Sequence, residues 1–319
     1  MQTRKSKELF APTTERLMTE PGIIESTQEL ERAQEAAYAL TTYSNYVTAW
    51  VVFLTRQYGI GDEGRNAFLA AMAENDNVRR LQGGITVSDE LTAAYYRGQL
   101  TFRAMQALPI EEHPHLARSA NFWLPVQSYY AIHGTGLAAM MALNMAPPQS
   151  HMTFRAAFST VVHTYFPAPF CGLCIGGPEA KEFTFRNLPT TMDRVVRQTQ
   201  LANPEHVEDL ATFVGKSLST TRQQFLAVRF EEKRDKEKKK RLTHEAKNQC
   251  CQNEHPTSVC DLLYRLRLRS NYDNPDMYLF APTVQQSAVR SYQELLQLTE
   301  LLAAEIGRAS CRERVCHCV

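Results

Sequence analysis

The sequence predicts an all-α protein, a helical bundle with irregular loop insertions, and three observations carry that class. Apolar residues recur at alternating three- and four-residue steps along several long segments, which lines one face of a helix. Ser and Thr stand at helix-start spacing ahead of these segments. Pro or Gly closes them. No internal repeat accompanies the pattern.

In chain order, residues 1–25 lack a period and are expected to form a loose arm. Ser26 with Glu29 makes a capping-box spacing, in which each side chain satisfies a backbone N–H left open at a helix start. Leu30, Ala33, Ala37, Leu40, Val47, Val51 and Leu54 follow as one stripe, with Ser44 its one polar member, to about Tyr58, where Gly59 and Gly61 intervene. A shorter helix fits Glu63 to Ala73. Ser88 opens the next, with Asp89 and Glu90 where the helix dipole favours negative charge, and it is expected to run to Leu108. Pro109 to Pro125 is expected to be irregular. Helix resumes from Val126 to Asn144, where Gly134, Gly136, Ala138, Ala139 and Ala142 suggest close approach of a neighbouring helix or turn.

A further short helix fits Met152 to Val162. An irregular loop, with a short strand at most, spans 165–203. Helical pattern returns from Val207 to Phe230. The charged run RFEEKRDKEKKKR within 229–256 carries no apolar stripe, so a solvated helix extension or flexible linker is expected. The last elements are a helix from Ser258 to Ser270 and one opening at Thr283, with Ala288, Tyr292, Leu295, Thr299 and Leu302 on one face. A single helical domain over 26–304 accommodates all of this.

The run EIGRASCRERV from Glu305 resembles a sequencing-adapter stretch translated in one frame, so 305–319 is expected to be an artefact and the helix before it to end at Ala304. Setting aside Arg308, Arg312, Arg314, Glu305 and Glu313 takes the 35 basic and 34 acidic residues to equal numbers. A neutral body offers no whole-chain attraction for nucleic acid, which would need a local basic patch. Of the 8 cysteines, Cys311, Cys316 and Cys318 lie in the same run, and the remainder do not form a secreted disulfide framework. MQTRKSKELF is not followed by the apolar core of a signal peptide, and Val47 to Leu54 is far short of a membrane span. The expectation is a cytoplasmic protein with no membrane association.

Two segments carry chemistry. The first, QSYYAIHGTGLAAMMALNMAPPQSHMTFRAAF from Gln127 to Phe158, places a Tyr129–Tyr130 pair on an alanine-rich helix, then Pro148, His151 and Phe158. The second, LYRLRLRSNYDNPDMYLF, carries Arg265, Arg267 and Arg269, followed by Tyr272 and Asp273. In order and helical setting the two resemble the HEPN family. That resemblance implies a HEPN-like bundle of the kind found in toxin–antitoxin and phage-defence systems, often a metal-independent ribonuclease that binds or cleaves RNA or nucleotides.

On that resemblance Arg269 would face a phosphate, with Asp273 and His151 as catalytic partners and Tyr272, Arg265 and Tyr130 in binding. The chain departs from the family in one respect. The expected Arg followed roughly four to six residues on by His is matched only by Arg312 to His317, inside the suspected adapter run. Ribonuclease activity and a non-catalytic helical module, binding a protein partner or forming a homodimer, therefore both stay open.

No cofactor is expected, but Cys171 and Cys174 form a C-x-x-C that could be half of a structural zinc site, with Cys250, Cys251, His255 and Cys260 downstream. The glycines Gly172, Gly176 and Gly177 would permit a tight knuckle, whereas Phe170, Leu173 and Ile175 look like buried packing. Lys238 to Arg241 are consecutive cations, yet the acids interleaved ahead of them favour a solvated face.

Overall fold

The computed structural model describes residues 27–59, 61–80, 88–177, 182–188, 210–273, 276–279, 281 and 285–310. The helices are α1 (Thr27–Tyr58), α2 (Gly61–Ala73), α3 (Asp76–Arg80), α4 (Asp89–Gln106), α5 (Ala117–Ala142) and α6 (His151–Tyr165). After a β-hairpin of β1 (Leu173–Gly177) and β2 (Glu182–Arg186) come α7 (Leu210–Lys236), α8 (His244–Asn253), α9 (Val259–Leu268), α10 (Asp276–Leu279) and α11 (Gln285–Ser310). The protein is mainly helical, as its periodicity predicts. Among the described residues no helix is long and apolar enough to cross a membrane.

The long α1 buries Ala33 and the C-terminal part of the expected stripe, with Leu30, Ala37 and Leu40 only half-buried. Val47, Val51 and Leu54 are buried, and so are Tyr43, Tyr46, Ala49 and Trp50. Ser44, the polar member, meets the Ser291 hydroxyl of α11 at 3.1 Å. Trp50 is fully enclosed and donates its indole N–H to Ser217 of α7 at 3.0 Å, satisfying the one polar atom a buried Trp carries. Ala288, Tyr292, Leu295, Thr299 and Leu302 of α11 are all buried, the face the sequence marks out. Ser26 and Thr283 lie outside the described residues, but the expected cap at Ser88 is formed, its side chain accepting from the Leu91 N–H at 3.1 Å.

The small residues of α5 have the neighbour they imply. A Cβ on Gly134 would come within 2.6 Å of the Gly98 backbone nitrogen, and one on Gly98 within 2.6 Å of that of Thr135. Helices α4 and α5 therefore touch backbone to backbone, and Leu91, Ala94, Ala138 and Ala142 close the seam. Gly136 makes room instead for the Phe154 and Phe158 rings of α6.

Three expectations need correction. Residues 109–125 are not irregular throughout, since α5 starts at Ala117 and runs through Pro125. Proline removes one helix bond, but Leu124, Pro125 and Val126 are all buried, and packing outweighs that loss. Of the two readings of the charged segment 229–256, the helix extension holds as far as Lys236, and beyond it the chain forms a further helix rather than a flexible linker. Helix α7 extends to Lys236, and α8 folds back so that Lys233 donates to Gln249 Oε1 at 2.9 Å. The last helix does not end at Ala304 but continues to Ser310.

The 165–203 segment contains the hairpin, with Leu173 opposite Arg186 and Gly177 opposite Glu182. The arm 1–25 and residues 189–209 and 311–319 lie outside the described residues.

Candidate functional site

Helices α5, α6 and α9 meet in a cluster of tyrosines, histidines and arginines. The resemblance draws Tyr129, Tyr130 and His151 from two separate elements, and the fold brings all three together. The fully buried Tyr129 places its hydroxyl 3.0 Å from His151 Nδ1. His133, one helical turn after Tyr129 and Tyr130, meets His151 edge-on with ring centroids 5.1 Å apart. Sequence reasoning passed over His133, although its i,i+4 and i,i+3 spacing from the tyrosine pair was a visible signal.

The arginine in this cluster is Arg267. It donates to the Tyr130 hydroxyl at 3.1 Å. Its guanidinium carbon lies 5.3, 5.1 and 5.4 Å from the ring centroids of Tyr129, Tyr130 and Tyr264. Arg267 is 7% exposed, makes no ion pair among the described residues, and its Nε is buried without a hydrogen-bond partner. A buried cation without a carboxylate is costly.

Arg265 and Arg269, four residues apart, share the other side of the helix. Arg265 is buried over the Tyr43 ring at 4.8 Å and donates to Thr221 at 3.2 Å, with the Arg269 charge near enough to bear on it. Arg265 is thus engaged with α1 and α7 rather than with the tyrosine–histidine cluster. Arg269 opens a π turn, Arg269–Asp273, in which Tyr272 is exposed. The Asp273 side chain lies outside the described residues.

Both histidines are held neutral. Burial, then the His151, Arg267 and Arg97 charges, push His133 down to about 4. Burial, Arg267 and Arg155 lower His151. Burial likewise keeps the Tyr129 hydroxyl protonated, far above the usual tyrosine range. A neutral imidazole beside a hydroxyl that can donate or accept is a competent proton acceptor at neutral pH.

Behind the cluster lies an ion network. Asp261, fully buried on α9, accepts from Arg155 Nε at 2.7 Å, His255 Nε2 at 2.9 Å and the Ser258 backbone N–H at 2.8 Å. Burial alone would raise its carboxyl, but the Arg155 and His255 charges outweigh that and hold it well below the carboxylate range. His255 also contacts Glu254 at 3.2 Å, and Glu254 receives Arg229 at 3.1 Å. Burial opposes its charge, yet the bonds to Asp261 and Glu254 lift His255 to about 9. The Arg155 guanidinium also stacks over Phe225 and Tyr264, so this network fixes the back wall of the Arg267 cage.

Cys171 and Cys174 are buried at the start of the hairpin, and burial pushes the Cys174 thiol up to about 12. A zinc ligand must be a thiolate. Among the described residues, no group of three or more His, Cys, Asp and Glu side chains is placed to hold a metal ion. Comparison with known proteins finds no matching family model, no matching curated protein and no matching solved structure.

Proposed function

We propose that the protein binds and cleaves RNA without a metal, as a HEPN-like ribonuclease would, with Arg267 as the phosphate-facing cation. The observation that carries this reading is the buried guanidinium of Arg267, walled by three tyrosine rings and lacking any carboxylate partner among the described residues. A phosphate supplies the missing charge and the acceptor for the unpaired Nε.

Neutral His151 then serves as the base. Its ring nitrogen not engaged by Tyr129 takes the proton from a ribose 2′-hydroxyl, and the 2′ oxygen attacks the adjacent phosphorus. The bond from phosphorus to the 5′ oxygen breaks, and the proton passes from the imidazolium to that departing oxygen. A 2′,3′-cyclic phosphate and a free 5′-hydroxyl result. Arg267 stabilises the charge that builds on the phosphoryl oxygens.

The test is cleavage of an unstructured oligoribonucleotide in EDTA by the protein and by Arg267→Ala, His151→Ala and Arg269→Ala. The expected result is a loss of at least about a hundredfold in the first two, the range of a lost acid–base or electrostatic group. Arg269→Ala should stay near wild type. Equal rates for wild type and Arg267→Ala would sink the assignment. No cleavage and no RNA binding by the wild type would favour the non-catalytic interaction module.

A further inference from the structure

Along the Trp123–Ala142 part of α5, the residues left uncovered form one stripe. From Trp123 to Ala142, the residues not buried are Trp123, Gln127, Tyr130, His133, Leu137 and Met141. Their steps of four, three, three, four and four residues keep them on one face. Trp123 is 55% exposed and Tyr130 40%, large rings turned to solvent on a stretch of helix whose other residues are buried or half-buried. Burying such rings would be favourable, and nothing in the described fold covers them.

Helices α5 and α6 contain no Asp or Glu. Arg97 of α4 is exposed and near enough to His133 to lower its proton affinity, and Arg267 of α9 bonds to Tyr130 directly. An apolar protein partner would match the rings but not these cations. A strand of unpaired nucleotides matches both, since bases stack on aromatic side chains while phosphates meet arginines.

The spacing fits as well. Seven residues of helix separate Trp123 from Tyr130, about 10.5 Å at about 1.5 Å per residue. That is about three nucleotides at about 3.4 Å each.

We infer that Trp123 and Tyr130 form a stacking platform for unpaired bases, which leads a single strand along α5 to Arg267 and His151. This rests on the phosphodiester reading of the Arg267 cage, and it adds a selectivity for single strands over duplex together with the residues responsible. A base pair already stacked in a helix has no free face to offer Trp123.

The chain's 2 tryptophans make the test direct, because Trp50 is fully buried and only Trp123 meets solvent. A single-stranded oligouridylate of about 12 nucleotides, within the usual reach of a stacking groove, is titrated while tryptophan emission and strand anisotropy are followed together. A blunt RNA duplex of the same length is the control. Cleavage of the dinucleotide UpA in EDTA, too short to span from Arg267 to Trp123, reports the Arg267 site separately.

The expected result is quenching by the single strand and little by the duplex. Trp123→Leu should lose the quenching and bind about tenfold more weakly, with UpA cleavage unchanged. Strand binding without quenching, or equal binding of duplex, overturns the platform while UpA cleavage leaves the Arg267 site standing. A dimer that Trp123→Leu dissociates overturns it too, because the stripe is then a protein interface. Failure of both UpA cleavage and strand binding brings down the platform and the site together.

Discussion

Asp261 is the residue on which the buried electrostatics turn, and Asp261→Asn tests them with little change of shape. The carboxylate is fully buried and neutralises two cations, Arg155 at 2.7 Å and His255 at 2.9 Å. Removing one partner from a buried ion pair costs about 3–5 kcal/mol, because the remaining charge is stranded. His255 gives a second measure, to which Asp261 and Glu254 both contribute. Its rise from 6.5 to about 9 corresponds to roughly 3 kcal/mol, at about 1.4 kcal/mol per pH unit.

The sign follows from which state holds the proton. The folded state binds it more tightly, so the His255 contribution is fully present below about pH 6.5 and is lost as pH rises through about 9. Asp261 acts in the opposite sense at low pH. Its lowered carboxyl contributes fully above about pH 3.9, and that contribution is lost as the solution is acidified below this value.

Urea unfolding at pH 6, 7.5 and 9.5 should therefore show wild type losing stability across the alkaline interval. Asp261→Asn should start several kcal/mol lower and show a much flatter alkaline limb. A variant within about 1 kcal/mol of wild type at pH 6, or one that keeps the full alkaline loss, would refute the claim that this carboxylate holds His255 charged.

Gly134→Ala should destabilise the fold by roughly 1–3 kcal/mol, because the new methyl would meet the Gly98 backbone nitrogen at 2.6 Å and no side chain can swing aside. Thermal unfolding beside Leu137→Ala, a partly buried site on the same helix, would separate this clash from a general helix effect. Thiol labelling at pH 8 should modify Cys250, which is partly exposed, well before Cys174, whose burial raises its thiol to about 12. Mass spectrometry of the labelled peptides checks the order, and early modification of Cys174 would contradict the hairpin packing.

The helices were legible where packing alone decides position. The five residues expected on one face of α11 are all buried, and the small residues of α5 suggested a close neighbouring helix or turn, which is α4. Legibility failed where a local rule met a tertiary demand. Pro125 read as an interruption because proline cannot donate, yet its buried surroundings keep α5 continuous. The charged run read as a helix extension or a linker because it has no stripe, and only the extension, to Lys236, is found. Helix α8 supplies partners instead, through Lys233 to Gln249 and Arg229 to Glu254.

The candidate site was half legible for a geometric reason. Matching a family pattern selects a place along the chain, but a helix turns about 100° per residue, so Arg267 and Arg269 point to nearly opposite sides. Helical spacing groups Tyr264 and Arg267 on the side that meets Tyr129 and Tyr130, while Arg265 and Arg269 belong to the other, with Asp261 between the two groups. That partition could have been drawn from spacing alone. What spacing cannot supply is the count of charges around Arg267, since ion pairs are formed by residues far apart in sequence. Arg155 and Arg267 sit on adjoining elements against the same Tyr264 ring, and only Arg155 receives a carboxylate. Among the described residues Arg265 is also buried without a carboxylate and with an unpartnered Nε, so what sets Arg267 apart is the three tyrosine rings around it and the bond to Tyr130 beside His151.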